Sequence, residues 1–142
     1  MTTFQTSRLI PAAVGSIFAA ISDPARLARW WGPAGFTNSF EVCEFTPCGQ
    51  WVFTMHGPDG KDYANINRFV AIDAPRRVVI EHVCEPQFTL TIELTEDGEA
   101  TRVNWTQAVV DSHFAENVRH IIEPANEQNL DRLTAEVLGC AG

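Results

Sequence analysis

Hydrophobic and polar positions along the chain change rhythm from a strand period to a helical one, back again, and then to a helical one at the end. Residues 4–10 (FQTSRLI) read as a short strand. Val14, Ile17, Phe18 and Ile21 follow helical spacing, and Pro11 suits a first helical position because its missing N–H costs nothing there. The pattern therefore predicts an amphipathic helix over 11–21. Ser22-Asp23-Pro24 ends it and starts a second, short helix over about 24–29, with Asp23 as cap and Pro24 just inside. Gly32-Pro33 stops that helix soon after two adjacent tryptophans.

The middle of the chain has strand chemistry. SFEVCEF (39–45) is followed by a turn at Pro47-Cys48-Gly49. QWVFTMH (50–56) alternates, with Trp51, Phe53 and Met55 on one face. Pro58-Asp59-Gly60 turns the chain into a strand over 62–73. Its two faces compete: Tyr63, Asn65, Asn67 and Phe69 against Ala64, Ile66, Arg68 and Val70. RVVIEHV (77–83) turns Val78, Ile80 and His82 inward if Arg77 and Glu81 face water. FTLTIELT (88–95) puts Phe88, Leu90, Ile92 and Leu94 on its buried side. Asp97-Gly98 leads into TRVNWTQ (101–107), where Val103, Trp105 and Gln107 share a face.

Helical spacing returns at Asp111. Phe114, Val118, Ile121, Ile122 and Ala125 form a stripe, continued by Leu130, Leu133, Val137 and Leu138. Pro124 removes a backbone hydrogen bond and crowds the preceding turn, which predicts a kink or a short first helix there. From Pro124 to Leu138 a helix spans about 22 Å, enough to cross four or five strands spaced by ~4.8 Å. Hairpin-length connections make the sheet antiparallel. The last helix is the only element large enough to cover one face. The fold class is therefore α+β, within one domain over residues 1–142.

Composition narrows the function classes. The chain has 142 residues, 45% hydrophobic and 20% charged, as in a globular protein. Its net charge of −8 argues against nucleic acid or an anionic membrane surface as partner. The N-terminus lacks the basic and apolar regions of a signal peptide, and no stretch approaches a membrane span, so a cytoplasmic protein is expected. Cys43, Cys48, Cys84 and Cys140 form no CxxC pair or zinc-finger spacing, so reduced thiols and no metal are expected.

Several stretches carry a family resemblance: SDPARLARWWGP (22–33), GQWVFTMHGPDG (49–60), APRRVVIEH (74–82) and NEQNLDRL (126–133). In this order they resemble the SRPBCC, or START-like, superfamily, which includes START-related domains, Bet v 1-like proteins and polyketide cyclases. Within it the chain is most similar to the activator of Hsp90 ATPase homologue 1-like proteins. The resemblance implies a helix-grip fold: a curved antiparallel sheet of about six to seven strands around a long C-terminal helix, two short helices after the first strand, and a cavity between sheet and helix. One departure is the turn Thr46-Pro47-Cys48-Gly49, where relatives usually carry an Arg-Pro-Gly-Gly type sequence. The family supplies no universal catalytic residue to carry over.

The inward faces then define a candidate site. Trp51, Phe53, Met55, Phe88, Leu90 and Trp105 are expected to line the cavity, with Phe114 and Ile121 facing them from the helical segment. Trp30, Trp31 and Phe36 are expected at one lip. His82, Gln107, Tyr63 and Asn65 form the polar end, because a buried amide must bond to protein, water or ligand. There is no nucleophile elbow, P-loop, dinucleotide fingerprint or HExxH motif. His82 is the candidate general acid or base, since desolvation tunes an imidazole.

Three readings compete. The favoured one is a protein that holds a hydrophobic or amphipathic small molecule, without a cofactor. The second is a cyclase- or hydrolase-like enzyme using the same cavity. The third is an Hsp90-type chaperone partner or other protein-binding module, which predicts a large exposed apolar patch. A homodimer stays open under each.

Overall fold

The computed structural model describes residues 1–139. The chain runs β1 (Thr2–Ile10), α1 (Val14–Ser22), α2 (Pro24–Trp30), β2 (Thr37–Cys43), β3 (Gln50–His56), β4 (Asp62–Asp73), β5 (Arg77–His82), β6 (Phe88–Asp97), β7 (Ala100–Val109), α3 (Ser112–Asn117) and α4 (Arg119–Gly139). The strands form one antiparallel sheet in the order β1-β7-β6-β5-β4-β3-β2. β1 and β2 are its opposite edges, joined in sequence through α1 and α2. The sheet curves around α4 in a helix-grip arrangement. Among the described residues no helix is long and apolar enough to cross a membrane.

Two irregularities bend the sheet. The register shifts between Phe40 and Val42 on β2 and between Phe69 and Ala71 on β4. A bulge adds one residue to one strand, raises the local twist and switches the faces beyond it. On β4 the inward set before the bulge includes Asn67 and Phe69; after it, Ile72 packs against the core. The competing faces of this strand are thereby resolved: Asn65 and Asn67 turn inward, while Ile66 and Val70 face water.

Two helix boundaries differ from the sequence expectation. Pro11 lies outside α1, which starts at Val14 with Ala13 as N-cap. The link is instead held by the Thr101 hydroxyl, which donates to the Ala12 carbonyl at 2.8 Å. Near the C-terminus the helical segment does divide, but at Val118, six residues before Pro124. Pro124 lies inside α4, in its second turn. Asp23 caps α2 as expected, accepting from the Ala25 N–H at 3.0 Å.

The core is unevenly filled along α4. Leu130, Leu133 and Val137, in the C-terminal half, are buried with α1, α2 and the sheet. Full burial of each such side chain contributes about 1.5–3 kcal/mol, which fixes that half of the helix. The earlier turns of α4 offer Ala125, Asn126 and Asn129 to the sheet instead. Small and polar side chains there leave space beneath the helix.

Candidate functional site

The two adjacent tryptophans have different tasks. Trp30, the last residue of α2, is 1% exposed, and its indole N–H donates to the Ala20 carbonyl of α1 at 2.9 Å. Trp31 leaves the helix in an extended conformation and meets Trp51 edge-on at 4.8 Å between ring centroids. Gly32 then takes a φ of 100°, and a Cβ there would lie 2.7 Å from the Met55 Cε. The positive φ favours glycine, whereas the methyl at the end of the flexible Met55 side chain could move aside.

This loop is tied to α4. Asn129 Nδ2 donates to the Trp30 carbonyl at 3.2 Å, and its Oδ1 accepts from the Gly32 N–H at 3.3 Å. Arg132 Nη1 donates to the carbonyls of Trp31, Gly32 and Pro33 at 3.2, 3.0 and 2.9 Å. Its Nη2 reaches the Arg29 carbonyl at 2.8 Å. A guanidinium thus satisfies the carbonyls at the end of α2, where the helix dipole favours positive charge.

Between this loop, the sheet and α4 is a cavity of about 570 Å³, within the usual range for small-molecule sites. Trp31, Phe53, Met55, Phe88, Leu90 and Trp105 supply its apolar wall. Its polar wall is mostly carboxamide: Asn65 and Asn67 from β4, Gln107 from β7, and Asn126 and Asn129 from α4. Tyr63, Asp62 and Glu85 stand at the exposed rim. Among the described residues no lysine or arginine lines it. Trp105 is 2% exposed, and its indole N–H has no acceptor among the described residues.

His82 completes the polar end. Its Nδ1 lies 2.8 Å from the Pro86 carbonyl oxygen and its Nε2 lies 2.9 Å from Asn65 Oδ1. An acceptor on each side suits the doubly protonated ring. Burial works against that form and pushes the imidazole pKa below its ordinary value, despite hydrogen bonding to the backbone at Pro86 and Cys84. The ring is stacked on Phe88 at 4.6 Å between centroids, where a charge is poorly solvated, so burial prevails. The neutral ring carries one proton and so donates to only one of these two oxygens, with Cys84 Sγ 3.4 Å from Nε2.

Not every expected wall residue reaches the cavity. Trp51 is fully buried, stacked on Phe69 at 5.5 Å, and belongs with Trp30 to the core. Trp30 is tied to α1, and Trp51 is enclosed by the rings of Trp31, Phe40, Phe53 and Phe69. Phe36 stands outside the cavity, its ring 6.1 Å from Tyr63. Phe114 and Ile121 are exposed and line a separate groove, because the break at Val118 places α3 against β1, beyond Phe88 and Gln107. Asn126, Asn129 and Arg132 were absent from the sequence-derived site. Asn126 was detectable, since the stripe Val137, Leu133, Leu130 continues backward onto it.

Another polar chain lies on β2, β3 and β4. His56 Nδ1 is 2.7 Å from Asp62 Oδ1, and Ser39 Oγ is 2.7 Å from His56 Nε2. These distances reproduce a Ser-His-Asp relay. Ser39, exposed, and His56, half-buried, nevertheless lie outside the cavity, so nothing there would hold an acyl group against the hydroxyl. Burial pushes the Cys43 thiol up to about 11, which keeps it protonated; Cys48 and Cys84 are also free thiols. Cys140 lies outside the described residues.

Comparison with known proteins gives this geometry its family. The model of the family described as activator of Hsp90 ATPase homolog 1-like protein matches residues 11–137. The chain belongs to that family. A solved protein from Arthrobacter aurescens is 24% identical, with 96% of this chain and 86% of that one covered and a TM-score of 0.88. The AHSA1 protein from Silicibacter pomeroyi is 22% identical, with 96% and 98% covered and a TM-score of 0.78. CalU16 from Micromonospora echinospora is 20% identical, with 95% and 75% covered and a TM-score of 0.69. At these identities the likeness shows a shared fold. No curated protein matches the chain. In this activator-homologue family member, the unusual turn places Cys48 at a φ of 67° and ties its N–H to the Phe69 carbonyl at 2.7 Å.

Proposed function

We propose that the protein binds an amphipathic small molecule in the cavity between its sheet and α4. The observation that carries this reading is the composition of the cavity wall: aromatic and aliphatic side chains on one part, neutral carboxamides on another, in a space of about 570 Å³. Carboxamides both donate and accept, so they suit hydroxyl and carbonyl groups on the guest. The unpartnered N–H of Trp105 adds a donor. Without a lysine or arginine in the wall, a carboxylate guest would lose its hydration without gaining a counter-ion. The guest is therefore not an anion.

Catalysis is less well supported. Both nitrogens of His82 already face protein oxygens, on Pro86 and Asn65, so the ring is a positioning group before it is a base.

Native mass spectrometry of the purified protein tests the proposal by looking for a retained metabolite. A thermal-shift screen comparing uncharged phenols and ketones with matched carboxylates tests the selectivity, since a guest specific to the folded state raises its melting temperature. Stabilisation by the carboxylates alone would refute the preference against anions. No retained molecule and no stabilisation by either set would refute the binding role.

A further inference from the structure

We infer that the guest is a two-part molecule, with a polar ring-bearing head in the main cavity and an aliphatic tail in the groove beneath the α3–α4 junction. This rests on the binding role proposed above and extends it to the guest's shape.

The groove encloses about 220 Å³, and its wall is almost wholly apolar. Phe114 of α3, Val118 at the helix break, and Ile121 and Ile122 of α4 form its outer side. Gln107 is the polar exception. Two of these apolar side chains meet water, Phe114 at 38% and Ile121 at 58% exposure. Folding alone does not call for such exposure when the same face of the sheet buries Phe4 and Val109 nearby.

The groove adjoins the cavity. Pro86, Phe88 and Gln107 line both spaces. Asn126 Nδ2 donates to Gln107 Oε1 at 3.2 Å, fixing the side chain that borders both. Polarity changes abruptly at this shared wall: carboxamides and His82 on one side, hydrocarbon on the other. A molecule spanning the two must change character at the same place. A separate solute in the groove would have little to orient it, whereas a tail is delivered there by its head.

Volume sets the tail length. At ~30 Å³ per water-sized group the groove holds about seven such groups. A methylene fully removed from water improves affinity about fourfold, and a half-exposed groove gives about twofold at least.

The probes are 4-hydroxyphenyl n-alkyl ketones with tails from methyl to decyl, which keep one head and vary only the tail. Binding is read by tryptophan fluorescence, since Trp31 and Trp105 line the cavity, and by calorimetry. Affinity should rise two- to fourfold per carbon and level off near seven carbons. Val118→Trp fills the groove, and the heptyl-to-methyl affinity ratio, taken within each protein, should fall towards one. If that variant does not fold, Ile121→Asn at the exposed lip reads the same ratio. A flat series in the wild type, or an unchanged ratio in the folded variant, overturns the tail site while leaving the head site standing. No binding by any member removes both.

Discussion

The contact between Arg132 and the loop after α2 makes a quantitative prediction. Replacing Arg132 by methionine keeps much of the aliphatic stem and removes every donor. The carbonyls of Arg29, Trp31, Gly32 and Pro33 then lose a charged partner. A hydrogen bond to a charged group contributes about 1.5–3 kcal/mol. The two hydrogens on Nη1 are shared among three carbonyls, and Arg132 is only partly buried, so the four contacts count as fewer than two strong ones. The expected loss is about 2–4 kcal/mol, and at about 3 °C per kcal/mol for a chain of this size the midpoint should fall by about 6–12 °C. Urea denaturation followed by far-ultraviolet circular dichroism measures the free energy, and a thermal melt measures the midpoint. Arg132→Lys should recover less than half, because an ammonium cannot span carbonyls arranged for a planar fork. A methionine variant within about 0.5 kcal/mol of the wild type, the usual surface range, would refute the clamp.

Gly49→Ala should destabilise the fold by more than about 3 kcal/mol, because the new Cβ would meet the Glu44 backbone oxygen at 2.0 Å; a denaturation midpoint near the wild-type value would contradict this. His82 is held neutral, with its folded pKa below the ordinary value of 6.5, so the unfolded chain binds the proton more readily. Stability should be fullest above pH 6.5 and decline as pH falls towards the folded pKa. His82→Gln should flatten that decline when unfolding is measured between pH 7.5 and 5. The Ser39–His56–Asp62 chain should give no turnover: p-nitrophenyl acetate hydrolysis by the wild type and by Ser39→Ala should match, and a clear excess in the wild type would reopen the hydrolase reading.

Strand alternation made much of the sheet legible from sequence, because one face of each strand is buried and the other wet. Trp51, Phe53, Leu90, Ile92, Val103 and Trp105 all turn inward as their spacing requires. Asp23-Pro24 marked the start of α2 because capping is a local interaction. The bulges near Phe40 and Phe69 were not legible, since an inserted residue looks like any other until its neighbours are known. The same limit applies to the aromatics. Whether an indole packs or borders a cavity depends on how α1 and α2 dock, and spacing along the chain does not carry that information. Trp31 reached the cavity wall, whereas Trp30 and Trp51 did not. His82, Gln107 and Asn65 were found because a polar residue on an inward face stands out. Arg132 was missed because an arginine on a helix ordinarily points to water, and its carbonyl partners sit far away in sequence.

The pairing of the first strand with the last has a consequence for how the molecule is made. Thr2 lies opposite Val109, and this register continues to Ile10 opposite Thr101. As the chain leaves the ribosome, β1 has no neighbour until β7 has emerged, and such distant pairing is slow to form. The hollow under α4 comes into being later still, when the final helix arrives. Under the proposed function, guest capture would belong to finished molecules alone, and a truncated translation product should neither compete for a guest nor be protected by it.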